Sequence, residues 1–268
     1  MQNLGLKRNT IDKYYTKPII AEQCVNLIIK HLDIMNDDLI IEPSAGNGSF
    51  IPYIKQLTNN YKFYDLEPEN EEIIKQDFLT LKISKLSKIH IIGNPPFGRQ
   101  SSLAIKFIKK CCEFGDTISF ILPKSFKKDS MKKYFNSNYH LEYEEDIPDN
   151  SFLVNHENCD VPCVFQIWVL KSHLRETKIK EYPNQFIFVK HDNNPDISFR
   201  RVGVNAGLIS IDTNKSPQSH YFIKFINNNT INENIDKLKN IKFKFNNTVG
   251  PKSISKQELI HEFNKYLY

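Results

Sequence analysis

In Leu39-Ile40-Ile41-Glu42-Pro43-Ser44-Ala45-Gly46-Asn47-Gly48, an apolar run meets an acid and then breaks at two closely spaced glycines. That is the pattern of a short buried strand entering a tight turn, after which Phe50–Leu57 resumes a helical spacing of apolar residues. The same design repeats downstream. Tyr61–Leu66 is a second strand with Asp65 and Glu67 at its end, and Ile73–Phe78 is a short third that closes on Asp77-Phe78. Ile89–Ile92 is a fourth, running into Gly93-Asn94-Pro95-Pro96-Phe97-Gly98, and Thr117–Leu122 is a fifth.

Helical periodicity fills the gaps. In Pro18–Leu32 the apolar positions Ile20, Cys24, Val25, Ile28 and Leu32 recur every three to four residues, and Leu103–Phe114 places Ile105, Ile108, Cys111 and Cys112 on one side. A basic helix is expected over the segment bearing Lys124, Lys127, Lys128, Lys132 and Lys133. Tyr139–Ile147 and Val161–Leu170 form a closing pair of strands joined by a polar loop. Strands alternating with helices predict an α/β fold with a mainly parallel sheet covered on both faces. Such sheets bind ligands beyond the C-terminal ends of their strands. Every polar motif above falls at one of those ends.

After Leu170 the texture changes. Asn, Pro and Lys become frequent, with short apolar pieces at Phe186–Val189, Tyr221–Ile226 and Ile241–Phe245 and a helix expected at Gln257–Tyr266. A first domain over 1–171 and a small basic region over 172–268 follow from that shift. Charge divides in the same way. Residues 171–268 carry 16 Lys+Arg against 9 Asp+Glu, a balance of +7, whereas residues 1–170 carry 20 against 22. A basic rear region fits a polyanionic partner; a general basic, Asn- and Ile-rich composition explains it equally well.

Other classes fall away. No window approaches the 18 or so consecutive apolar residues of a membrane span. The opening MQNLGLKRNTIDKYY has no apolar stretch of signal-peptide length, so a protein that is neither secreted nor membrane-bound, intracellular and cytoplasmic, is expected. Five cysteines, two of them adjacent at Cys111 and Cys112, do not make a disulfide framework. His156, Cys159 and Cys163 lack a fourth ligand at finger-like spacing, so no metal site is expected.

The strand-end residues carry distinct chemistries. Glu42 can pair with a cationic ligand group, and the glycines that follow let the main chain approach that ligand closely. Asp65 can accept two neighbouring hydroxyls, as acids at the second strand end do in dinucleotide folds. Asp77 can accept from an aromatic amine while Phe78 covers a ring face. Singly, each also reads as an ordinary turn residue; at three successive strand ends they outline a nucleoside pocket. Asn94 and the Pro95 carbonyl offer two acceptors to the two N–H bonds of a conjugated amine, which favours a pyramidal nitrogen with an available lone pair. Pro95 and Pro96 stiffen that backbone, and Phe97 offers a face to a base drawn out of its stack.

Together Lys13-Tyr-Tyr-Thr16-Lys-Pro18, Glu42–Gly48, Asp65-Leu-Glu-Pro68, Gln76-Asp-Phe78 and Asn94-Pro-Pro-Phe97 resemble the amino-group methyltransferases that use S-adenosylmethionine (SAM). The motif order resembles that of the gamma-type adenine-N6 DNA methyltransferases, over about residues 12–170. The resemblance implies a Rossmann-like class I sheet of seven strands, mostly parallel with the last one antiparallel. It implies that Thr16 and Glu42 bind the methionine end of SAM, with Tyr15, Ser44, Ala45, Gly46 and Asn94 also at the cofactor, and that Asp65 holds the ribose. Leu66 and Phe78 would sandwich the adenine and Asp77 would bind its amine. Asn94, Pro95, Pro96 and Phe97 would act on the target base, with Phe152 a second aromatic there. Only 11 residues separate Asp65 from Asp77, so the helix usual between the second and third strands is expected to be short or missing.

The expected reaction is methylation of adenine N6 in DNA, with RNA as the alternative polymer. Cytosine N4, guanine N2, protein glutamine and a silent nucleic-acid-binding subunit are the remaining readings. Lys124 and the rear-region run Phe199-Arg200-Arg201 are candidate contacts to the polymer, as is Lys242-Phe-Lys-Phe245, although an amphipathic edge strand has the same pattern. Oligomeric state is not legible.

Overall fold

The computed structural model describes residues 14–176, 179–243, 245 and 251–267. The chain divides at Arg175/Glu176 into two compact units, a few residues beyond the boundary placed from composition.

The first unit opens with β1 (Tyr15–Thr16) and α1 (Pro18–His31), followed by β2 (Leu39–Glu42) and a single helical turn, α2 (Ile51–Ile54). Next come β3 (Tyr61–Asp65), β4 (Ile74–Lys75), β5 (Ile89–Gly93), α3 (Ser102–Cys111) and β6 (Thr117–Pro123). The segment ends with α4 (Asp129–Lys132), β7 (Tyr139–Asp146), β8 (Phe152–Val154), β9 (Glu157–Cys159) and β10 (Cys163–Leu170). Proline at the first position of α1 needs no hydrogen-bond partner there, and Lys30 and His31 in the last turn suit its negative end. Its apolar stripe, Ile20, Ala21, Cys24, Val25 and Ile28, is buried.

Seven strands form one sheet in the order β4-β3-β2-β5-β6-β10-β7. β4, β3, β2, β5 and β6 run parallel, and β10 lies antiparallel between β6 and β7. Every residue of β5 and β6 is buried, as a sheet covered on both faces requires. From β2 the chain adds strands to one side, and from β5 to the other. The two strands are neighbours, so a crevice opens between their C-terminal ends, where such sheets bind ligands.

Several local expectations are corrected. The helix expected over Phe50–Leu57 is the one turn of α2, and the third strand shrinks to the exposed pair Ile74–Lys75, with Phe78 in a 3-10 turn, Phe78–Thr80. The missing helix between β3 and β4, by contrast, is as the 11-residue spacing of Asp65 and Asp77 led one to expect. The basic helix is a 3-10 turn, Lys124–Lys127, followed by α4. Within the polar loop between β7 and β10, β8 and β9 pair with each other, and β8 pairs with β1 to make a three-stranded sheet.

The second unit holds β11 (Phe186–Val189), β12 (Ile197–Arg200), β13 (Ile209–Ser210) and β14 (His220–Phe225), then α5 (Ile231–Leu238) and α6 (Lys256–Tyr266). Its antiparallel sheet has the order β11-β14-β12-β13. Phe186, Ile197, Phe199 and Ile223 form a core with Leu238, Leu259, Ile260 and Phe263. Both helices begin with a capping box, Thr230 with Glu233 and Ser255 with Glu258. The apolar piece at Ile241–Phe245 forms no strand at residues 241–243 and 245.

Candidate active site

At the end of β2 the chain turns through Gly46, whose φ of +55° favours glycine and whose missing side chain leaves room for Tyr15; a Cβ there would lie 3.3 Å from its ring. Asp65, at the end of β3, accepts from the Gly46 amide through Oδ2 (2.8 Å) and from the Glu67 amide through Oδ1 (2.8 Å). The acid therefore ties two turns together and keeps further lone pairs on both oxygens. Asp77, just past β4, caps its 3-10 turn by accepting from the Leu79 amide at 2.9 Å. Phe78 is packed against Phe107 (5.6 Å) and edge-on to Phe114. It is 1% exposed, so it forms a wall more than a free stacking face, while Leu66 stands 61% exposed at the rim.

β5 ends at Gly93, where a Cβ would come within 3.2 Å of Glu42 Cγ. Glycine is what lets the two strand ends approach so closely. Asn94 follows, and its amide nitrogen donates to the Tyr14 carbonyl (3.2 Å) and to Thr16 Oγ1 (3.1 Å). Those bonds anchor β1 beside the Asn94–Phe97 loop. Ser44 Oγ donates to the Asn94 carbonyl at 3.3 Å, joining the β2 turn to the same loop.

Two acceptors here stand out electrostatically. Glu42 Oε2 and Asn94 Oδ1 are buried with no hydrogen-bond partner. An unmet buried acceptor costs about 1–3 kcal/mol, so such atoms usually wait for a ligand or water. Burial, reinforced by the nearby charge of Asp65, raises the Glu42 carboxyl well above the ordinary carboxylate range. A cation or hydrogen-bond donor brought beside it would favour its charged form.

These residues line one cavity of about 360 Å³, within the usual size of small-molecule sites. Tyr15, Thr16, Glu42, Ser44, Ala45, Gly46, Asp65, Leu66, Asp77, Phe78 and all of Asn94–Phe97 border it. Tyr14, Leu103 and Phe107 also border it and were missed in the sequence. Leu103 and Phe107 sit four apart on α3, a spacing that reads equally as core, and Tyr14 stacks on Phe97 at 6.3 Å. The Tyr15 hydroxyl donates to Glu69 at the same side. Phe152 does not border the cavity. Its pairing opposite Thr16 in the small sheet turns it into the core, where it is 1% exposed. Lys124 also lies apart and pairs with Asp146 at 3.0 Å. Arg200 and Arg201 belong to the second unit; Arg200 Nε donates to the Val202 carbonyl and Arg201 Nη2 to the Gln218 carbonyl. Phe199 is fully buried and offers no stacking face.

The strand order, the single antiparallel strand and a crevice lined by strand-end acids define a class I methyltransferase fold. SAM is the cofactor this fold and donor set accommodate: a buried acid lacking a cation, a second acid at the next strand end and a largely apolar wall beside Asp77. Residues 34–162 match the family model described as the EDM2 methyltransferase-like domain. Protein ENHANCED DOWNY MILDEW 2 of Arabidopsis thaliana is 29% identical over 163 residues, 55% of this chain; the match spans only 12% of that relative's length. Among solved structures, a provisionally assigned RNA methyltransferase of Pyrococcus horikoshii is similar with a TM-score of 0.48 at 14% identity, over 64% of this chain and 93% of that one. The 23S rRNA methyltransferase ErmE gives 0.45 at 13%, over 60% and 71%. The modification subunit of a provisionally assigned type I restriction enzyme from Vibrio vulnificus gives 0.47 at 11%, over 68% and 47%. Likenesses this distant say nothing about substrate. No helix among the described residues is long and apolar enough to cross a membrane.

Proposed function

We propose that this chain transfers a methyl group from SAM to the N6 amine of adenine in nucleic acid, DNA foremost. The observation that carries the reading is Asn94 Oδ1, a buried acceptor without a partner, in an Asn-Pro-Pro-Phe motif that borders the same cavity as Glu42. Because Asn94 Nδ2 is committed to Tyr14 and Thr16, the side chain is held with its oxygen as the group left over. An amine N–H is the partner that fits it.

When bound, SAM supplies an activated methyl carbon on its sulfonium. Glu42 would hold the amino group of its methionine end, Asp65 its ribose hydroxyls and Asp77 its adenine amine. Asn94 Oδ1 accepts one N–H of the target amine and the Pro95 carbonyl accepts the other, which frees the nitrogen lone pair for in-line attack. As the C–N bond forms, the methyl carbon's bond to the sulfonium breaks with its electron pair left on the now neutral sulfur, and positive charge grows on that nitrogen. The two acceptors then bind more strongly than in the ground state, and that difference is what speeds the step. The nitrogen sheds a proton to solvent once the new bond is complete. Phe97 gives the extruded base a face, offsetting an extrusion cost of a few kcal/mol.

The test is methylation of DNA and of RNA with labelled SAM, followed by digestion to nucleosides. Deoxyribose-linked N6-methyladenine is the expected product. Ribose-linked N6-methyladenine alone would move the assignment to RNA, and N4-methylcytosine or methylated glutamine would overturn the target.

A further inference from the structure

The second unit carries cations of two kinds. Lys215, Lys239 and Lys265 are each neutralised by a carboxylate, Asp212 at 2.5 Å, Asp236 at 2.9 Å and Glu262 at 2.8 Å. Arg201, Lys252 and Lys256 have no carboxylate partner among the described residues and lie over aromatic rings instead. Arg201 sits 5.5 Å from the centre of Tyr221, Lys256 lies 4.6 Å from Phe188 and 5.8 Å from Tyr221, and Lys252 lies 5.0 Å from Phe245.

Backbone pairing brings them together from distant parts of the sequence. The Ile254 amide donates to the Arg201 carbonyl (2.8 Å) and the Gly203 amide to the Lys252 carbonyl (2.9 Å), so the segment leading into α6 runs alongside the end of β12. The Tyr221 hydroxyl donates to the Ile254 carbonyl at 3.2 Å, which locks that segment onto β14. Phe188 and Tyr221 pack edge to face at 5.7 Å, giving a fixed two-ring platform. A ring holds a cation in place without cancelling its charge, so these three keep their full charge for an outside anion, where a carboxylate partner would have consumed it. Lys252 and Lys256 are also exposed to solvent.

We propose that Arg201 and Lys256, set on the Phe188–Tyr221 platform, together with Lys252 over Phe245, form a phosphate-gripping surface for the nucleic-acid backbone. The inference deepens the nucleic-acid reading of the catalytic site and rests on it for the partner. It gives less weight to Arg200, whose Nε and Nη1 are both engaged within its own unit on the Val202 carbonyl and Ser219, whereas Arg201 engages one nitrogen, Nη2, on the Gln218 carbonyl.

The test is binding of the full chain to a fluorescent DNA duplex across a salt series, without SAM. Each phosphate contact contributes about 0.9 to the slope of log affinity against log salt. The double variant Lys252→Gln/Lys256→Gln flattens that slope by about 2, and Lys252→Arg/Lys256→Arg keeps it. The double variant Lys215→Gln/Lys265→Gln removes the same charge from neutralised positions and leaves the slope unchanged. Equal flattening in both glutamine pairs, or none in the first, overturns the proposal. Methyl transfer to DNA by a chain whose slope ignores Lys252 and Lys256 defeats this inference alone, whereas the expected slopes without any methyl transfer defeat the catalytic reading alone.

Discussion

At the ends of β2 and β5, Glu42 Oε2 and Asn94 Oδ1 are buried with nothing to bind. At the end of β3 and just past β4, the oxygens of Asp65 and Asp77 already serve the backbone amides of Gly46, Glu67 and Leu79. All four residues border one cavity. The two unpartnered oxygens make no bond within the fold, although Asn94 Nδ2 holds Tyr14 and Thr16, so losing those oxygens should cost function more than structure. The second pair builds the turns it stands on, so its ligand contacts are extra bonds on groups already in use. Function should therefore be concentrated at β2 and β5 and diluted at β3 and β4.

The hardest blow to that contrast comes from Asn94→Ala. Loss of one positioned group that acts on developing charge typically lowers kcat about 10²–10³-fold. SAM affinity, measured by calorimetry, should fall far less than kcat, since Asn94 Oδ1 is proposed for the target amine and only the Nδ2 anchor of Tyr14 and Thr16 bears on the cofactor side. A variant that loses SAM affinity in step with kcat would make Asn94 a cofactor ligand and collapse the division of labour proposed here.

Glu42→Gln comes next. Trading a charge-assisted contact for a neutral one costs about 1.5–3 kcal/mol, roughly 10–100-fold in SAM affinity. The pH dependence carries a sign of its own. With its folded pKa raised by burial and by Asp65, Glu42 keeps a proton in the unliganded chain that the unfolded chain has released. Stability of the unliganded wild type therefore declines as pH rises from the ordinary carboxylate range, about 4.3, toward the raised value, and Glu42→Gln lacks that decline. A cationic ligand needs the ionised form, so binding releases a proton and SAM affinity climbs with pH. Parallel stability curves for wild type and variant, from denaturant titrations at several pH values, would show that Glu42 is not the buried, strained acid argued here.

What the sequence revealed follows the same physical line. β2, β3, β5 and β6 are central strands, whose apolar runs announce themselves and whose polar endings fall where the cavity forms. Short or edge elements hold too few residues to show a period. β1 and β4 have two residues each, and β8 and β9 have three. For that reason Phe152 was placed against the target base when pairing with β1 puts it in the core. α5 was missed because Ile231–Leu238 is largely polar, although Thr230 and Glu233 spell a capping box. The cation platform of the second unit was invisible for another reason: Arg201, Tyr221 and Lys256 meet only through tertiary pairing.

The smallest expected effect sharpens the contrast from the other side. Asparagine in place of Asp77 keeps an oxygen for the Leu79 amide, so the 3-10 turn and the packing of Phe78 on Phe107 should persist, with stability within about 0.5 kcal/mol of wild type. What remains to be lost is the charge on an acceptor facing the adenine amine, about 1 kcal/mol, or roughly fivefold in SAM affinity. Adenosine-free fragments of the cofactor, such as methionine itself, should bind the variant and the wild type equally. A drop near the hundredfold expected for Glu42→Gln would mean that Asp77 is as dedicated to its ligand as the buried pair. No drop at all would leave Asp77 as a turn cap only, and the adenine amine would need another acceptor along the cavity wall.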